Sequence, residues 1–510
     1  MRTPRRLLLA AFATLAPMLA ASGAATNPTP EQRTARHLAA IRQDPALLLS
    51  FVRAMPKGGD LHIHLSGAVY AESWIDWAAQ EGLCIERGNA SLAGGPCDAA
   101  CDRAQEKPAV QCAYRDPLLY NQLIDAWSMR NFDPAKPGHD HFFAAFEKFL
   151  PVALRRSGDA LAEVAARAAA DNVGYVEILH SADARQAAEL GARLGWDEDP
   201  DRMRKALLAG GMADILTATR QQLDRDEARR GVLLHCDTPQ ADAACQVTVR
   251  YLYQVLRGLP PPMVFAQMLL GFELARADAR FVGLNLVMPE DWYVPMHDFD
   301  LHMRMLDFLH ALYPSVHISL HAGELAPGLV PPEGLRNHIR ASIEHGHAER
   351  IGHGVSVMSE VDAPALLDDM ARRKVLVEIC LTSNDVILGI TGANHPLTTY
   401  LRKGVPVALA TDDQGVSRSD MTHEYLRAVQ TYDLPYSQLK RMARQSLEHS
   451  FLAGPSLWAA GREFQSVAAC AADRSEGAPS PSCRAYLAAS DRATAQWELE
   501  RAFDRFEKSY

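Results

Sequence analysis

The stretch KGGDLHIHLSG at 57–67 and the stretch ALATDDQG at 408–415 lie near opposite ends of the chain, and the fold turns on whether they meet. Each ends a short apolar run in polar side chains. A strand shows alternate residues on opposite faces, so His62 and His64 point the same way. Asp412 and Asp413 close the second run. Between them lie further strand-like runs at 173–179 (VGYVEIL), 232–234, 281–287, 316–320, 350–352 and 375–380. With 57–65 and 405–410 these make eight, and helical patterns separate most of them. One such pattern, 159–170, is rich in Ala, carries Leu161, Val164 and Ala168 on one side, and ends at Asn172.

Eight strands alternating with helices predict an α/β chain folded as a (β/α)8 TIM-type barrel. The rival is an open doubly wound sheet. The polar residues favour the barrel: His62 and His64, His321 and Glu324, His353, and Asp412 with Asp413 all fall at the C-terminal ends of runs. In a barrel those ends share one mouth, where barrel enzymes keep their chemistry; in an open sheet the first and last strands lie far apart.

Composition sets the outer limits. The chain has 510 residues, 48% hydrophobic and 22% charged, an ordinary globular balance. A net charge of -10 lacks the basic face of nucleic-acid binders, so no nucleic acid is expected as a partner. Arg2, Arg5 and Arg6 precede an apolar run at 7–20 and small residues at 21–25, the pattern of a signal peptide over 1–24. The run is shorter than the ~20 residues a membrane-spanning helix needs, so cleavage is preferred and no stable membrane anchor is expected. Cleavage removes the three arginines and takes the charge from -10 to -13. The expected destination is periplasmic or secreted. A polar helical lead-in follows at 26–55, then the barrel at 56–452 with an insertion at about 84–117, then a helical extension at 453–510. Within the extension, 487–510 reads as an amphipathic helix with Trp497, Phe503 and Phe506 on its buried face, for packing or for an oligomer contact.

The cysteines agree with export. Cys84, Cys97, Cys101 and Cys112 cluster in the insertion, where three pairings are open. Cys236 with Cys245 and Cys470 with Cys483 are the expected pairs elsewhere, and Cys380 stands alone in an apolar run. The other reading is eight free thiols in a reducing compartment; the leader makes it the weaker one.

His62 and His64 on one face can hold one metal ion, although an H-x-H triplet alone is a weak signal. His321 in SLHAGE and Asp412 would complete three nitrogens and one carboxylate, a set that suits zinc and leaves room for water. Zinc can lower the pKa of such a water to ~7. Glu324 follows His321 by three residues and is placed to carry a proton into the same mouth; His353 in RIGHGV is placed to hold or deprotonate the water. Asp413, beside Asp412, is placed to bond water or substrate. Taken singly, each has a plain structural reading, such as a turn glutamate, a core histidine or a helix-capping acid. Their joint occurrence at strand ends is what argues for chemistry.

The segments MPKGGDLHIHLSGA, HAGE, RIGHGV, SND and ATDD resemble the adenosine deaminase family of the amidohydrolase superfamily, over about 55–452. The leader, the Cys-bearing insertion and HFFAAFEKFLP at 141–151 resemble its secreted branch, the adenosine deaminase-like growth factors. The resemblance implies one Zn2+ per chain on His62, His64, His321 and Asp412. It implies that Glu324 protonates purine N1, His353 orients or deprotonates the water, and Asp413 bonds the water and N7. The implied substrate is a 6-aminopurine nucleoside, adenosine or 2'-deoxyadenosine, and the secreted branch suggests a homodimer. Four positions depart from the family pattern: Ser66 stands where an acid often bonds the ribose, Met288 where a glycine approaches the purine, Asn285 where an aspartate is usual, and Leu381 where a proline follows the cysteine of a C-P-x-S-N stretch. Ser66 and Met288 are therefore the expected substrate contacts that differ.

Other readings were open at this level. A second class of zinc deaminase uses H-x-E with P-C-x-x-C. His347 and Glu349 supply the first element, but Cys97 and Cys101 have the wrong spacing and order. A different amidohydrolase acting on an ester or cyclic amide would share the His pair and the last Asp. A non-catalytic exported nucleoside-binding protein would have lost a ligand or the acid, and none is missing.

Overall fold

Eight parallel strands form one sheet in chain order: β1 (Gly58–His64), β2 (Val173–His180), β3 (Thr248–Leu256), β4 (Phe281–Val287), β5 (His317–Ala322), β6 (Arg350–His353), β7 (Leu376–Ile379) and β8 (Val407–Leu409). The computed structural model describes residues 27–510 apart from 99, 134, 184 and 474–476, so the expected leader at 1–24 lies outside the described residues. The ring closes just past β8. Ile63 and Asp412 form a parallel bridge, with His64 N–H donating to Asp412 O at 3.1 Å and Asp412 N–H to His62 O at 2.9 Å. Thr411 Oγ1 adds a bond to the buried Asp60 carboxylate at 2.5 Å. The two stretches that framed the sequence reading are thus the two sides of the seam.

One strand lies elsewhere than expected. Residues 232–234 finish the long helix Ala213–Leu233, and the third strand is Thr248–Leu256 (TVRYLYQVL). Its half-buried and buried residues largely alternate, and it is rich in β-branched and aromatic side chains, which suit a pleated surface. The Cys236–Cys245 disulfide spans the turn between that helix and this strand.

The barrel interior is not purely aliphatic. The buried Arg350 guanidinium, on β6, donates from Nε to Glu378 at 2.6 Å and from another nitrogen to Glu177, and it lies 3.7 Å from the centre of the Phe451 ring. Buried charges survive only when paired and hydrogen-bonded, and here the positive group sits between two carboxylates. Glu378 also carries this network upward to His62. Outside the ring, helix Tyr436–Glu448 packs against β1 and β8. Gly58, at φ +71, permits this: a Cβ there would stand 2.2 Å from Ala443 O.

The lead-in forms two helices, Pro30–Ile41 and Pro45–Ala54. The terminal helix Asp491–Lys508 packs on the first of these and on Tyr436–Glu448. Phe503 and Phe506 are buried there, with the Phe51 and Phe506 rings edge to face at 5.1 Å, while Trp497 is buried in a separate cluster with Leu457, Trp458, Cys470 and Cys483. Of the two uses expected for that apolar face, packing within the chain is the one observed. The insertion holds the short hairpin Cys84–Glu86 and Ser91–Ala93 and a 3-10 turn at Val110–Tyr114. Its disulfides are Cys84–Cys97 and Cys101–Cys112; the third and fourth, Cys236–Cys245 and Cys470–Cys483, match the expected pairs. Cys380 is free and buried. Among the described residues no helix is long and apolar enough to cross a membrane.

Candidate active site

β1 ends with His62 and His64 facing the barrel axis, β5 delivers His321, and the seam after β8 delivers Asp412. One ligand-type atom from each lies within 4.8 Å of the others, and all four residues are buried or nearly so. His62 Nε2 and His64 Nε2 stand 3.0 and 3.2 Å from His321 Nε2. Asp412 Oδ1 stands 3.5 and 3.3 Å from the same two nitrogens. A tetrahedral zinc with bonds of ~2.0–2.1 Å separates its ligands by roughly 3.3 Å, so the four atoms fit one ion of that size.

The far nitrogens of the three rings make the fit specific. His62 Nδ1 donates to Glu378 Oε2 at 2.7 Å, His64 Nδ1 to Gln254 Oε1 at 2.9 Å, and His321 Nδ1 to Asn285 Oδ1 at 2.8 Å. In its neutral form each ring therefore turns a bare Nε2 toward the common centre. With no ion there, burial lowers the His62 pKa but Asp412 and Glu378 outweigh it and push it up to about 10. Asn285, noted in the sequence only as standing where an aspartate is usual, does not line the cavity; it is fully buried behind His321, accepting also from the His321 backbone N–H at 3.0 Å. Gln254 and Glu378 were missed from the sequence. Glu378 did leave a trace, as an acid interrupting the apolar run VLVEIC at 375–380.

The cavity above this centre has a volume of about 290 Å³. Ser66 and Met288 line it, as expected, together with Glu324, Asp412 and Asp413. Phe142, Phe143 and Phe146 of helix His139–Ala153 form an aromatic wall, opposite Trp292. Met288 has φ +89, the kind of backbone a glycine adopts freely. His353 (φ +68) and Asp412 (φ +57) are likewise left-handed. Non-glycine residues pay about 1–3 kcal/mol for unusual backbone of this kind, and it clusters where side chains must be aimed. Three such residues stand at or just past the ends of β4, β6 and β8.

Two acids near the mouth are set apart by their surroundings. Glu290 accepts from Gly323 N–H at 3.1 Å and Glu324 N–H at 2.9 Å, and pairs with His338 at 2.5 Å. Burial opposes its charge, but His338 and Arg257 outweigh that and hold it at about 2. Glu324 has only the His353 ring nearby, Nδ1 lying 3.7 Å from its Oε1. Burial, reinforced by Asp412 and Glu290, pushes it well above the usual carboxylate range, and burial with Asp412 pushes Asp413 the same way. Burial similarly lowers His353 to about 3, which keeps that ring neutral. His353 Nε2 and Asp413 Oδ1 are buried with no hydrogen-bond partner among the described residues. Such atoms cost free energy unless something polar meets them.

A family model for adenosine deaminase matches residues 132–457. The chain belongs to the adenosine deaminase family. Curated adenosine deaminases of this family from Escherichia coli (strain SE11) and Salmonella heidelberg (strain SL476) are 39% and 41% identical over 137 residues. That stretch is 27% of this chain and 38% of each relative, so the chain matches well under half the length of these curated proteins. A solved amidohydrolase from Burkhoderia ambifaria, with bound Zn, shares the fold at a TM-score of 0.51 and 17% identity, covering 91% of this chain and 95% of that one.

Proposed function

We propose that this family member hydrolyses the 6-amino group of a purine nucleoside, adenosine or 2'-deoxyadenosine, to the 6-oxo product and ammonia. The observation that carries the reading is the meeting of three imidazole nitrogens and Asp412 beneath Glu324, whose carboxyl burial pushes well above its usual range. His62, His64, His321 and Asp412 would hold a single zinc ion. When bound, that ion supplies an electrophile that acidifies water.

The chain's own residues account for the remaining steps. The aromatic wall of Phe142, Phe143 and Phe146 and the Met288 backbone bracket a flat base. Glu324 gives its proton to N1, which makes C6 electron-poor. The water oxygen bonds to C6 and its proton passes to Asp413, whose Oδ1 has no other partner. The C6–N6 bond then breaks. Asp413 returns the proton to the leaving amine as ammonia, and the new C6 hydroxyl returns one to Glu324 as the carbonyl forms. Both acids end as they began. Each positioned acid or base contributes ~10²–10⁴ in rate.

Charge selects among substrates. The cavity is lined by Glu147, Glu324, Asp412 and Asp413 and by no Lys or Arg among the described residues. A phosphate would find no cation there, so the substrate is a nucleoside and not a nucleotide. Four disulfides support an oxidising compartment, and we place the protein outside the cytosol, periplasmic or secreted.

The test is the zinc-loaded protein with adenosine, 2'-deoxyadenosine, adenine, AMP and a panel of esters and cyclic amides, scored by ammonia release and ultraviolet absorbance. Ammonia from the nucleosides supports the reading. Turnover of an ester or cyclic amide with no ammonia from any 6-aminopurine overturns it.

A further inference from the structure

A line of hydrogen bonds runs from a backbone amide into the back of His353. It begins at Leu397, whose N–H can only donate and lies 3.1 Å from His395 Nδ1. That nitrogen accepts, so it bears no proton. A neutral imidazole with a bare Nδ1 carries its proton on Nε2. His395 Nε2 lies 3.1 Å from Asn384 Oδ1 and donates to it. This settles which way round the Asn384 amide stands. Its Nδ2, which can only donate, faces His353 Nδ1 at 2.9 Å. His353 Nδ1 therefore accepts, and the proton of this ring sits on Nε2.

Every alternative breaks a bond in a buried place. Turning the Asn384 amide over would set its NH2 against the His395 N–H and its carbonyl against the His353 lone pair. Protonating His395 would set an N–H against the Leu397 N–H, and burial together with Arg427 holds His395 at about 4. Asn384, His395 and His353 are all buried, so water cannot repair a mismatch.

We infer that His395 and Asn384 are positioning residues that set the tautomer of His353, so that His353 presents an N–H to the attacking water and does not act as its base. The His353 ring lies beside the ligand set: its centre is 5.0 Å from that of His62 and 5.2 Å from that of His321, and Nε2 is buried with no hydrogen-bond partner among the described residues. The water oxygen accepts from His353, which keeps its proton throughout. The O–H bond that breaks is the one directed at Asp413, and the electron pair stays on oxygen to form the bond to C6. His395 does not line the cavity, yet it decides this division of labour. The assignment of the step rests on the deaminase reading above; the tautomer does not.

The experiment uses the full chain labelled with 15N-histidine. Two-bond proton–nitrogen spectra identify which ring nitrogen is protonated, and the His353→Gln variant assigns the resonance. The expected wild-type result is a neutral His353 protonated on Nε2. Asn384→Asp replaces the donor facing Nδ1 with an acceptor and should move the proton to Nδ1. In turnover, His395→Leu should lower kcat roughly 10- to 100-fold, the range for partners that orient a functional ring, with KM and metal content unchanged. His395→Gln can accept from Leu397 and donate to Asn384, and should recover most of that loss. Protonation of wild-type His353 on Nδ1, or a Gln variant as impaired as the Leu variant, overturns the proposal. If no 6-aminopurine is turned over, the deaminase reading fails while the spectra still decide the tautomer. If His395→Leu does not fold, the wild-type spectrum and Asn384→Asp decide it.

Discussion

Adding one methyl group to Gly67 should disable the site without disturbing the fold. Gly67 lies in the short helix Leu65–Ala68 that follows β1, and its φ is not left-handed, so alanine suits its backbone. The cost is local. A Cβ at this position would stand 1.6 Å from Asp413 Oδ1, 2.4 Å from its Cγ and 2.7 Å from its Cβ. Ordinary contact begins at 3.4 Å, so the Asp413 carboxylate has to retreat by ~1.8 Å. It is buried against the seam, and the retreat carries Oδ1 away from the water and the base. A displacement of ~1 Å at a reacting group can cost ~10²-fold, so Gly67→Ala should lower kcat at least ~100-fold. Helix propensity favours Ala over Gly by ~1 kcal/mol, which leaves the melting temperature close to that of the parent. Metal content should be unchanged, because Asp412 and not Asp413 faces the three imidazoles. The assay is adenosine turnover by ultraviolet absorbance, alongside thermal melting and metal analysis. A double-mutant cycle sharpens it: once Asp413→Ala has removed the carboxylate, Gly67→Ala should have little further effect. Full activity in Gly67→Ala would refute the placement of Asp413 as a working group. A lost fold would refute the claim that the clash is confined to the site.

Three further outcomes are expected. Glu324→Gln keeps the shape but has no acidic proton to give, so turnover should fall by ~10²–10⁴ while metal analysis stays near normal; a variant at full rate would remove Glu324 from the proton path. His62→Ala should lose the metal, whereas Asn285→Ala leaves His321 Nδ1 unheld and should weaken metal affinity about 10- to 100-fold by competition with a chelator; equal metal retention in both would break the link between these rings and the ion. AMP should be turned over at least ~10-fold less efficiently than adenosine in kcat/KM, since its phosphate would face Glu147, Asp413 and no cation; equal efficiency would show that the phosphate lies outside the cavity.

The eight-fold alternation, the H-x-H strand end, HAGE and the paired aspartates were visible in the sequence because local periodicity governs them. A residue's place on a strand sets the face it uses, and strand ends are short-range events. The third strand was misplaced because Thr248, Arg250 and Gln254 break it as an apolar run, while the apolar residues at 232–234 only end a helix. Glu378, Gln254 and His395 escaped for a different reason, and so did the parts played by Asn285 and Asn384. Each acts through hydrogen bonds to a residue on another element, as Glu378 does to His62 across 316 positions of chain.

The order of residues along the chain was therefore enough to propose which side chains carry chemistry and that one closed ring could gather them. Only folding decides which atom of each ring faces inward, which way each acid's pKa moves, and which residues hold them there. Glu290 and Glu324 are the same amino acid a short distance apart in space, and only their neighbours pull one below the usual carboxylate range and push the other above it. Protonation and tautomer depend on desolvation and on partners a few ångströms away, and those distances exist only once remote strands have closed into a barrel.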